Sequence, residues 1–385
     1  MLPLRELRRR PSRFIVATVV LSFLATLLLF LGGLLDGLYL GSTGAIRAQP
    51  GDVIVFSSGA RDSFLRSRIT ADLRADVESA DGVDAVGGVG FVLLGAKVPT
   101  KAELADVTVA GYELPPKGVP PPPKDYQGTA DSSLKDQGVG LGDTILVGPA
   151  ESPITIIGFV DDTSFLQQGA VWVNLPTWRA VQNANRPDSA VADDVVQTLV
   201  VKGSVVKGSV VKGSVVKGSV VKGVADGRSL SEVIDAATAN ATSTLTVDEA
   251  VLALPGVKQQ GQTFDQIIYS TFVVVLAVVG LFFSLLTIER IGLYGVLKAI
   301  GASTPRLFAG VVMQAVIVAI IAFLIGSLLA IGAAFALPAK VPLQLIPSRF
   351  IFTFAGLLLA AVLGSAVSLR RVTRVDPASA IGSAS

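Results

Sequence analysis

The chain of 385 residues contains no cysteine and no histidine. Without cysteine it has no disulfide, no thiolate nucleophile and no cysteine-ligated zinc. Without histidine it lacks the usual general base and the commonest transition-metal ligand. Catalysis would have to rest on carboxylates, lysine, serine or tyrosine alone. The sequence therefore argues against an enzyme and predicts neither a catalytic, a metal nor a cofactor site in this chain.

Charged residues are also absent from four long apolar runs, residues 14–35, 266–288, 307–339 and 350–369. Each run reaches the length of about 20 residues that a helix needs to cross a bilayer, so four transmembrane helices are predicted. Ion-coupled transporters and charged pores carry ionisable side chains within their spans, and their absence here argues against both. The third run is too long for one upright span, which predicts a tilt, an extension beyond the lipid, or a break near Gly332 or Pro338.

Basic residues collect in the N-terminal segment, in the loop after the second run and in the C-terminal tail, which together hold eleven basic and three acidic side chains. Residues 36–265 instead hold 19 basic and 27 acidic side chains. The positive-inside rule then predicts that both termini and that loop are cytoplasmic and that residues 36–265 lie outside. Leu4 and Leu7, within the basic N-terminal segment, suit a short amphipathic helix at the lipid surface.

The residues between the first two runs are numerous enough for a folded domain. Short runs rich in valine and isoleucine predict strands at 52–56, 143–148, 154–160 and 170–175. Helical patterns cover residues 69–79, 178–183 and 231–239, the last capped by Ser229 or Ser231. The predicted fold class is an α-helical membrane protein with four transmembrane helices and a large extracytoplasmic α+β domain inserted between the first and second.

Three features of this domain have more than one interpretation. The proline-rich connector 114–128 is a stiff extended loop or a surface for a partner. Residues 200–223 repeat VVKGS every five positions, which indicates a duplication tolerated as an exposed loop or extra hairpin, or a lysine-bearing ligand arm. The acidic pairs 161–162 and 193–194 are typical of solvated turns, with an acid/base dyad or Ca²⁺ ligands as the alternative.

Small residues repeat every four positions at the spans. The stripes are Gly33, Gly37 and Gly41 at the first span, Gly326, Ala330 and Ala334 in the third, and Gly356, Ala360, Gly364 and Ser368 in the fourth. Such stripes let helices approach closely in lipid. They predict close helix packing or pairing of two copies of the chain.

The stretch ERIGLYGVLKAIGASTPRLF, residues 289–308, separates the second run from the third. Its apolar residues recur at the spacing of one helical face. Gly301 is placed to end a short helix, and Thr304–Pro305 predicts the N-cap and first residue of the next. A loop between two spans could be a few turn residues, so a separate small helix here indicates a dedicated contact.

The predicted segments follow from these patterns. They are an amphipathic cytoplasmic N-terminal segment (1–13), a first span (14–40), the extracytoplasmic α+β domain (41–262) with its repeat insertion (200–223), a second span (263–288), a small cytoplasmic helix (289–303), a third span (304–337), an outer loop (338–349), a fourth span (350–369) and a cytoplasmic tail (370–385).

This organisation resembles the FtsX/MacB-type, or type VII, permeases of ABC transporters. ERIGLYGVLKAIGAS is similar to the cytoplasmic signature of that family, and RRVTRVDPASAI to its C-terminal arginine stretch with an Asp-Pro-Ala element. LKDQGVGLGDTILVG with ITIIGFV resembles its outer-domain strand pair, and LLDGLYLG with GDVIVF resembles the DevC-like branch more than the drug-efflux branch. The likeness covers nearly the whole chain except 114–128 and 200–223.

The resemblance implies that the small helix docks on a cytoplasmic ATPase and transmits its closure to the spans. The implied ATPase-coupling residues are Glu289, Arg290, Leu293, Tyr294, Val296, Leu297, Lys298, Ile300 and Gly301. Many relatives carry more charge after the Glu-Arg pair, so the contact here is expected to be more apolar. The chain lacks the G-x-x-x-x-G-K-[ST] loop, so ATP and Mg²⁺ are expected on a separate P-loop ABC ATPase subunit.

The implied function is that of a non-catalytic permease subunit in the bacterial cytoplasmic membrane, which exports or extracts an amphipathic substrate. The alternative is a non-transporting mechanotransmission protein that regulates a cell-wall hydrolase. Expected partners are the ATPase, a second permease copy in a 2+2 assembly, membrane lipid, and either a periplasmic adaptor or a cell-wall hydrolase. No nucleic-acid partner is expected.

Overall fold

The computed structural model describes residues 11–203, 229–288, 303–338 and 341–373. The chain divides into two compact units. The membrane unit comprises Met1–Gly37 and Gln260–Ser385, and the sheet unit comprises Leu38–Gln259.

Long apolar helices dominate the membrane unit and short amphipathic helices occur in the sheet unit. The helices of the described ranges are α1 Pro11–Arg47, α2 Ala71–Glu78, α3 Leu175–Asn185, α4 Leu230–Ala237, α5 Val247–Ala253, α6 Val257–Ile288, α7 Thr304–Ala336 and α8 Pro347–Thr373. Four of them, α1, α6, α7 and α8, are long and apolar enough to cross a membrane. The predicted fold class, four such helices with a large α+β domain between the first and second, is confirmed.

The helix ends differ from the predicted span ends. The first span, predicted at 14–40, is part of a helix that continues to Arg47. The second, predicted from 263, begins at Val257. The fourth begins at Pro347, inside the predicted outer loop 338–349. The apolar run marks only the lipid-crossing part of a helix, whereas backbone hydrogen bonding continues into more polar turns.

The third long helix, α7, is unbroken from Thr304 to Ala336. Gly332 therefore lies inside the helix, and Pro338 follows its end. At about 50 Å the helix is longer than a hydrocarbon core of about 30 Å, so it meets the excess length by tilt or extension instead of a break. The N-cap is Ser303, which corrects the predicted Thr304 by one residue. Proline fits either of the first two helical positions because neither N–H has an intrahelical acceptor.

Close backbone approaches hold the membrane unit together. A β-carbon on Gly326 of α7 would lie 2.8 Å from both the Ala25 side chain and the Ser22 carbonyl of α1. At this crossing the hydroxyl of Thr26 donates to the carbonyl of Gly326 at 3.2 Å. The rings of Phe323 and Phe354 connect α7 with α8 at a centroid separation of 4.9 Å. Small residues thus permit the packing of these helices, as predicted for a helix pair in lipid.

Nine strands form one sheet in the described part of the sheet unit. They are β1 Val53–Ser57, β2 Val83–Val98, β3 Lys101–Tyr112, β4 Gln127–Asp131, β5 Thr144–Val147, β6 Ser152–Val160, β7 Gly169–Asn174, β8 Thr198–Gly203 and β9 Thr242–Thr246. The order is β3-β7-β4-β6-β5-β2-β8-β1-β9, and β3 also pairs with β2. Six strands therefore close into a ring, while β8, β1 and β9 extend from the first half of β2.

Each face of the sheet carries its own apolar core. On one face α3 lies over the cross-strand pair of Gly90 and Gly111, and the indole of Trp178 fills the space where β-carbons would otherwise stand. On the other face six aromatic rings pack together, with Phe91 and Phe165 stacked at 4.4 Å and the rest edge to face. The two cores explain why the strands are buried on both sides.

Side-chain caps start the short helices, and the helix predicted at 178–183 begins three residues earlier, at Leu175. The Asn174 side chain caps α3 by accepting from the backbone of Thr177. Ser229, one of the two predicted caps, forms a capping box with Glu232 at the start of α4. The predicted strands at 52–56, 143–148, 154–160 and 170–175 are confirmed as β1, β5, β6 and β7, with ends shifted by one or two residues.

Candidate functional site

The predicted ATPase-coupling segment lies outside the described residues. These positions are Glu289, Arg290, Leu293, Tyr294, Val296, Leu297, Lys298, Ile300 and Gly301. The structure describes both flanks, namely the end of α6 at Ile288 and the N-cap of α7 at Ser303. The docking role of this segment stays a prediction.

In the membrane unit, the glycine stripe of α1 receives a segment of the same chain. A β-carbon on Gly33 would lie 2.8 Å from the Leu345 side chain, and one on Gly37 would overlap the carbonyl of Pro342. The backbone N–H of Gln344 donates to the carbonyl of Gly33 at 3.0 Å. Glycine is required because any side chain would displace this segment. The α7–α8 connection is thus fastened to α1 in a glycine notch formed by Gly33 and Gly37.

A bidentate ion pair lies beside the same contact. The Arg349 guanidinium at the start of α8 donates from Nε to Oδ2 of Asp36 at 2.9 Å and from Nη2 to Oδ1 at 2.5 Å. The side chains are 23% and 12% exposed, respectively. Gly32 makes room for the arginine stem, since a β-carbon there would lie 2.5 Å from the Arg349 Cδ. We call this pair, together with the glycine notch, the clamp.

The other predicted stripes also pack within the chain. Gly364 of α8 lies against α6, since a β-carbon there would be 2.8 Å from the Val279 side chain. Gly356 lies against Phe272 of the same helix, and Ala360 between them is fully buried. Pairing of two copies through these residues stays a prediction.

In the sheet unit, the last residues of α1 are held by the loop between β6 and β7. Gln167 donates from its side-chain amide to the Leu38 carbonyl at 2.6 Å and to the Ser42 hydroxyl at 2.8 Å. Its backbone N–H donates to the carbonyl of Gly41, the third glycine of the α1 stripe, at 3.0 Å. A β-carbon on Gly41 would lie 2.9 Å from the Gln167 side chain, so this glycine allows the loop to approach.

Arg47 completes this attachment at the C-terminal end of α1. Its guanidinium donates from Nη1 to Oδ2 of Asp162 at 3.0 Å and from Nη2 to Oδ1 at 2.5 Å. The backbone N–H of Ala45 donates to the carbonyl of Ser164 at 2.9 Å. We call these contacts between residues 38–47 and the 162–168 loop the joint. The sequence analysis missed it, and its one signal was the acidic pair that contains Asp162.

The acidic pairs do not come together in the described structure. Asp162 is engaged by Arg47, and Asp193 is fully exposed at 4.0 Å from Arg179. In the described ranges, no group of three or more acidic side chains is placed to hold a metal ion. The contacts of Asp162 assign it to the joint.

Four helices that are long and apolar enough to cross a membrane, with an α+β unit inserted in the chain between the first and second, define a membrane protein with a large inserted domain.

Comparisons with known proteins narrow this class. Residues 267–377 match the model of the FtsX-like permease C-terminal domain. An ABC transporter permease of Mycobacterium bovis is 25% identical over 386 aligned residues, which cover 98% of either chain. The relatives are named as permeases. The chain is similar to ABC transporter permeases and contains a segment that matches the FtsX-like permease C-terminal domain, and the predicted resemblance to FtsX/MacB-type permeases is confirmed.

Two further similarities are partial. A Staphylococcus epidermidis protein named as a hemin transport system permease, HrtB, is 24% identical over 139 residues, 36% of this chain. The match spans only 40% of the length of that relative. The periplasmic region of MacB from Actinobacillus actinomycetemcomitans aligns with 53% of this chain and 92% of its own length, at 15% identity and a TM-score of 0.34. The nearer likeness to the DevC-like branch stays a prediction.

Proposed function

We propose that this chain is the permease subunit of an ATP-driven type VII ABC transporter. A separate cytoplasmic P-loop ATPase hydrolyses ATP and docks on residues 289–303, and the sheet unit lies on the extracytoplasmic side with both chain termini in the cytoplasm. The observation that carries the proposal is the FtsX-like permease match at 267–377, which contains the whole docking segment. Two copies of the chain and two ATPases form the complex.

The contacts of α1 support a mechanical role for this helix. It is one continuous helix of 37 residues that contributes to both units. In the membrane unit the clamp ties it to the start of α8, and in the sheet unit the joint ties it to the 162–168 loop. In this proposal, ATP-driven motion of the spans is passed along α1, the helix that carries both the clamp and the joint.

The proposed substrate class is an amphipathic molecule taken from the membrane or its outer surface. The four apolar runs carry no charged residue, which disfavours a polar route through the bilayer. The relative named for hemin transport acts, by its name, on an amphipathic molecule. Regulation of a cell-wall hydrolase without transport is the competing outcome.

A detergent pulldown of the tagged chain from its native membrane tests the proposal. We expect a stoichiometric P-loop ATPase among the bound proteins, identified by mass spectrometry. Leu297→Asp places a charge on the apolar face of the docking segment, so it should cut ATPase retention at least tenfold, equivalent to about 1.4 kcal/mol or more.

The matched control is Leu104→Asp, which makes the same change at a leucine that is 61% exposed in the sheet unit. It should leave ATPase retention at the wild-type level. A Leu297→Asp complex that assembles and turns over ATP normally would refute the docking role. Recovery of a soluble hydrolase in place of lipid or another amphiphile would favour the regulatory alternative.

A further inference from the structure

A cavity of about 210 Å³ lies in the membrane unit among α1, α6 and α8. Leu28, Phe272, Phe352 and Leu357 supply apolar walls, and Gly356 leaves open the space that a larger side chain would fill. Engineered apolar cavities of about 150 Å³ stay dry and bind small hydrocarbons, so this one has room for several methylene groups. Its walls belong to helices that are apolar enough to span a membrane.

The cavity has one charged side chain among its lining residues. Arg349 lines it at the first turn of α8, and Thr353 and Gly356 follow on the same face at i+4 and i+7. The guanidinium of Arg349 donates to Asp36 from Nε and Nη2. Its third nitrogen, Nη1, has no acceptor in the part of the chain that the structure describes. Guanidinium groups donate strongly to phosphate oxygens, so this nitrogen suits a phosphate at the cavity mouth.

Asp36 neutralises the arginine and the carboxylate of Asp265 also acts on it, so the mouth of the cavity has no surplus positive charge. Recognition would therefore rest on a hydrogen bond to phosphate and on burial of hydrocarbon, and not on the net charge of the ligand. We infer that this cavity holds one acyl chain of a phospholipid, with Arg349 Nη1 donating to the lipid phosphate. The inference goes beyond the proposed function, because binding by the permease chain does not require the ATPase.

The test uses the full chain purified in a maltoside detergent and a phosphatidylethanolamine analogue with a photoactivatable diazirine in its acyl chain. After illumination, mass spectrometry locates the labelled peptides. We expect labelling within 268–275 and 349–357. Gly356→Leu fills the cavity and should reduce this labelling about tenfold, the loss expected when about two methylene groups no longer fit.

Gly332→Leu is the matched control, because a β-carbon at Gly332 in α7 would meet no atom within 4 Å. It adds the same atoms to another span and should leave labelling unchanged. Thr353→Leu fills the cavity from a second position, in case Gly356→Leu does not fold. Labelling that survives both filling substitutions at wild-type strength would mean contact with bulk lipid only and would overturn the inference.

Competition with unlabelled lipids tests the head-group contact. Phosphatidylethanolamine and phosphatidylglycerol should compete equally, since the site does not read net charge. Diacylglycerol lacks the phosphate and should compete about tenfold less well, as expected for the loss of one charge-assisted hydrogen bond. Diacylglycerol that competes as well as the phospholipids, or phosphatidylglycerol that competes far better, would overturn the role given to Arg349.

Discussion

Tyr112 is a buried phenol whose chemistry depends on the packing of the sheet unit. Its side chain is 1% exposed, and its hydroxyl donates to the Pro120 carbonyl at 2.6 Å. Its ring meets Trp172 edge to face at a centroid separation of 5.6 Å. Burial raises the pKa of Tyr112 from 10.0 to about 12, because the phenolate would lose its hydration. Through this one residue, the stability of the sheet unit is expected to change with pH in the alkaline range.

The sign of this dependence follows from the raised pKa. The neutral phenol is favoured in the folded state, so its contribution is fully present below pH 10 and is lost as the pH rises towards 12. Tyr112→Phe should lower stability by about 1 kcal/mol at pH 8 through the lost hydrogen bond. Between pH 8 and 11 the variant should lose less stability than the wild type, by on the order of 1 kcal/mol.

Tryptophan fluorescence during thermal unfolding measures this effect, since the chain has two tryptophans and both lie in the sheet unit. Phe64→Leu is the matched control, because it disturbs the same aromatic cluster and removes no ionisable group. It should lower the unfolding temperature by a similar amount at both pH values. If Tyr112→Phe and the wild type lose the same amount of stability between pH 8 and 11, groups other than Tyr112 cause that loss.

At the scale of elements, α1 is fixed by contacts that belong to distant parts of the chain. Asp36 and Arg349 are separated by 313 positions, and Gln167 reaches Leu38 from 129 positions away. A partly buried ion pair costs desolvation of both charges, which close hydrogen bonding offsets. Removal of one charged partner therefore destabilises the fold more than removal of both, because it leaves the other charge buried without compensation.

The clamp gives a prediction about the membrane unit. Asp36→Asn should destabilise the solubilised chain by about 3 kcal/mol, since Arg349 keeps its charge without a carboxylate. The double variant Asp36→Asn with Arg349→Gln should recover more than half of this loss. Heating in detergent followed by size-exclusion chromatography of the remaining folded protein provides the measurement. A double variant no better than the single one would mean that the ion pair is not the source of the loss.

At the scale of the whole molecule, the chain joins two units that differ in how they exclude water. The membrane unit packs apolar helices through small residues, and the sheet unit buries both faces of a partly closed sheet.

The repeat insertion 200–223 begins inside β8. The first VVKG copy is Val200–Gly203, which forms the last four residues of this strand. Val201 of this copy pairs with Val53 in β1, so the first copy is structural. The remaining copies, 204–223, lie outside the described residues.

Deletion of residues 204–223 should leave the fold intact. A β-carbon on Gly203 would lie 2.6 Å from the Leu230 side chain, so the ends flanking the deletion are already close and five remaining residues can join them. The free energy of unfolding, obtained from thermal unfolding followed by tryptophan fluorescence, should change by less than about 0.5 kcal/mol. Val201→Asp is the contrasting variant, since it buries a charge in β8 and should unfold the sheet unit. Loss of expression or assembly in the deletion variant would refute the view of the extra copies as a tolerated loop.

Much of the fold follows from local sequence signals. Apolar runs without charge indicated four spans, and short valine- and isoleucine-rich runs indicated the strands that became β1, β5, β6 and β7. Ser229 was one of two predicted caps, and in the structure it forms a capping box with Glu232. These predictions succeeded because length, periodicity and capping act over a few residues. The helix ends were less accurate, since apolarity does not report where backbone hydrogen bonding stops.

The candidate site could be predicted only in part. The stripe of Gly33 and Gly37 predicted close packing of helices or of two copies, but a stripe does not say what occupies it. The occupant is the segment that contains Pro342 and Leu345. The joint between Arg47 and Asp162 left no signal beyond an acidic pair. The ATPase-coupling residues were assigned from resemblance alone and stay a prediction.

By itself, the sequence determined the number of spans, the α+β character of the inserted domain and the absence of cysteine and histidine chemistry. Only the tertiary structure decided that Arg349 pairs with Asp36, that the glycines of α1 receive a loop of the same chain, and that a cavity remains beside Gly356. The physical reason is that the sequence patterns which mark spans and strands extend over only a few neighbouring residues. The clamp and the cavity arise from which distant surfaces meet, and that depends on the packing of the whole unit.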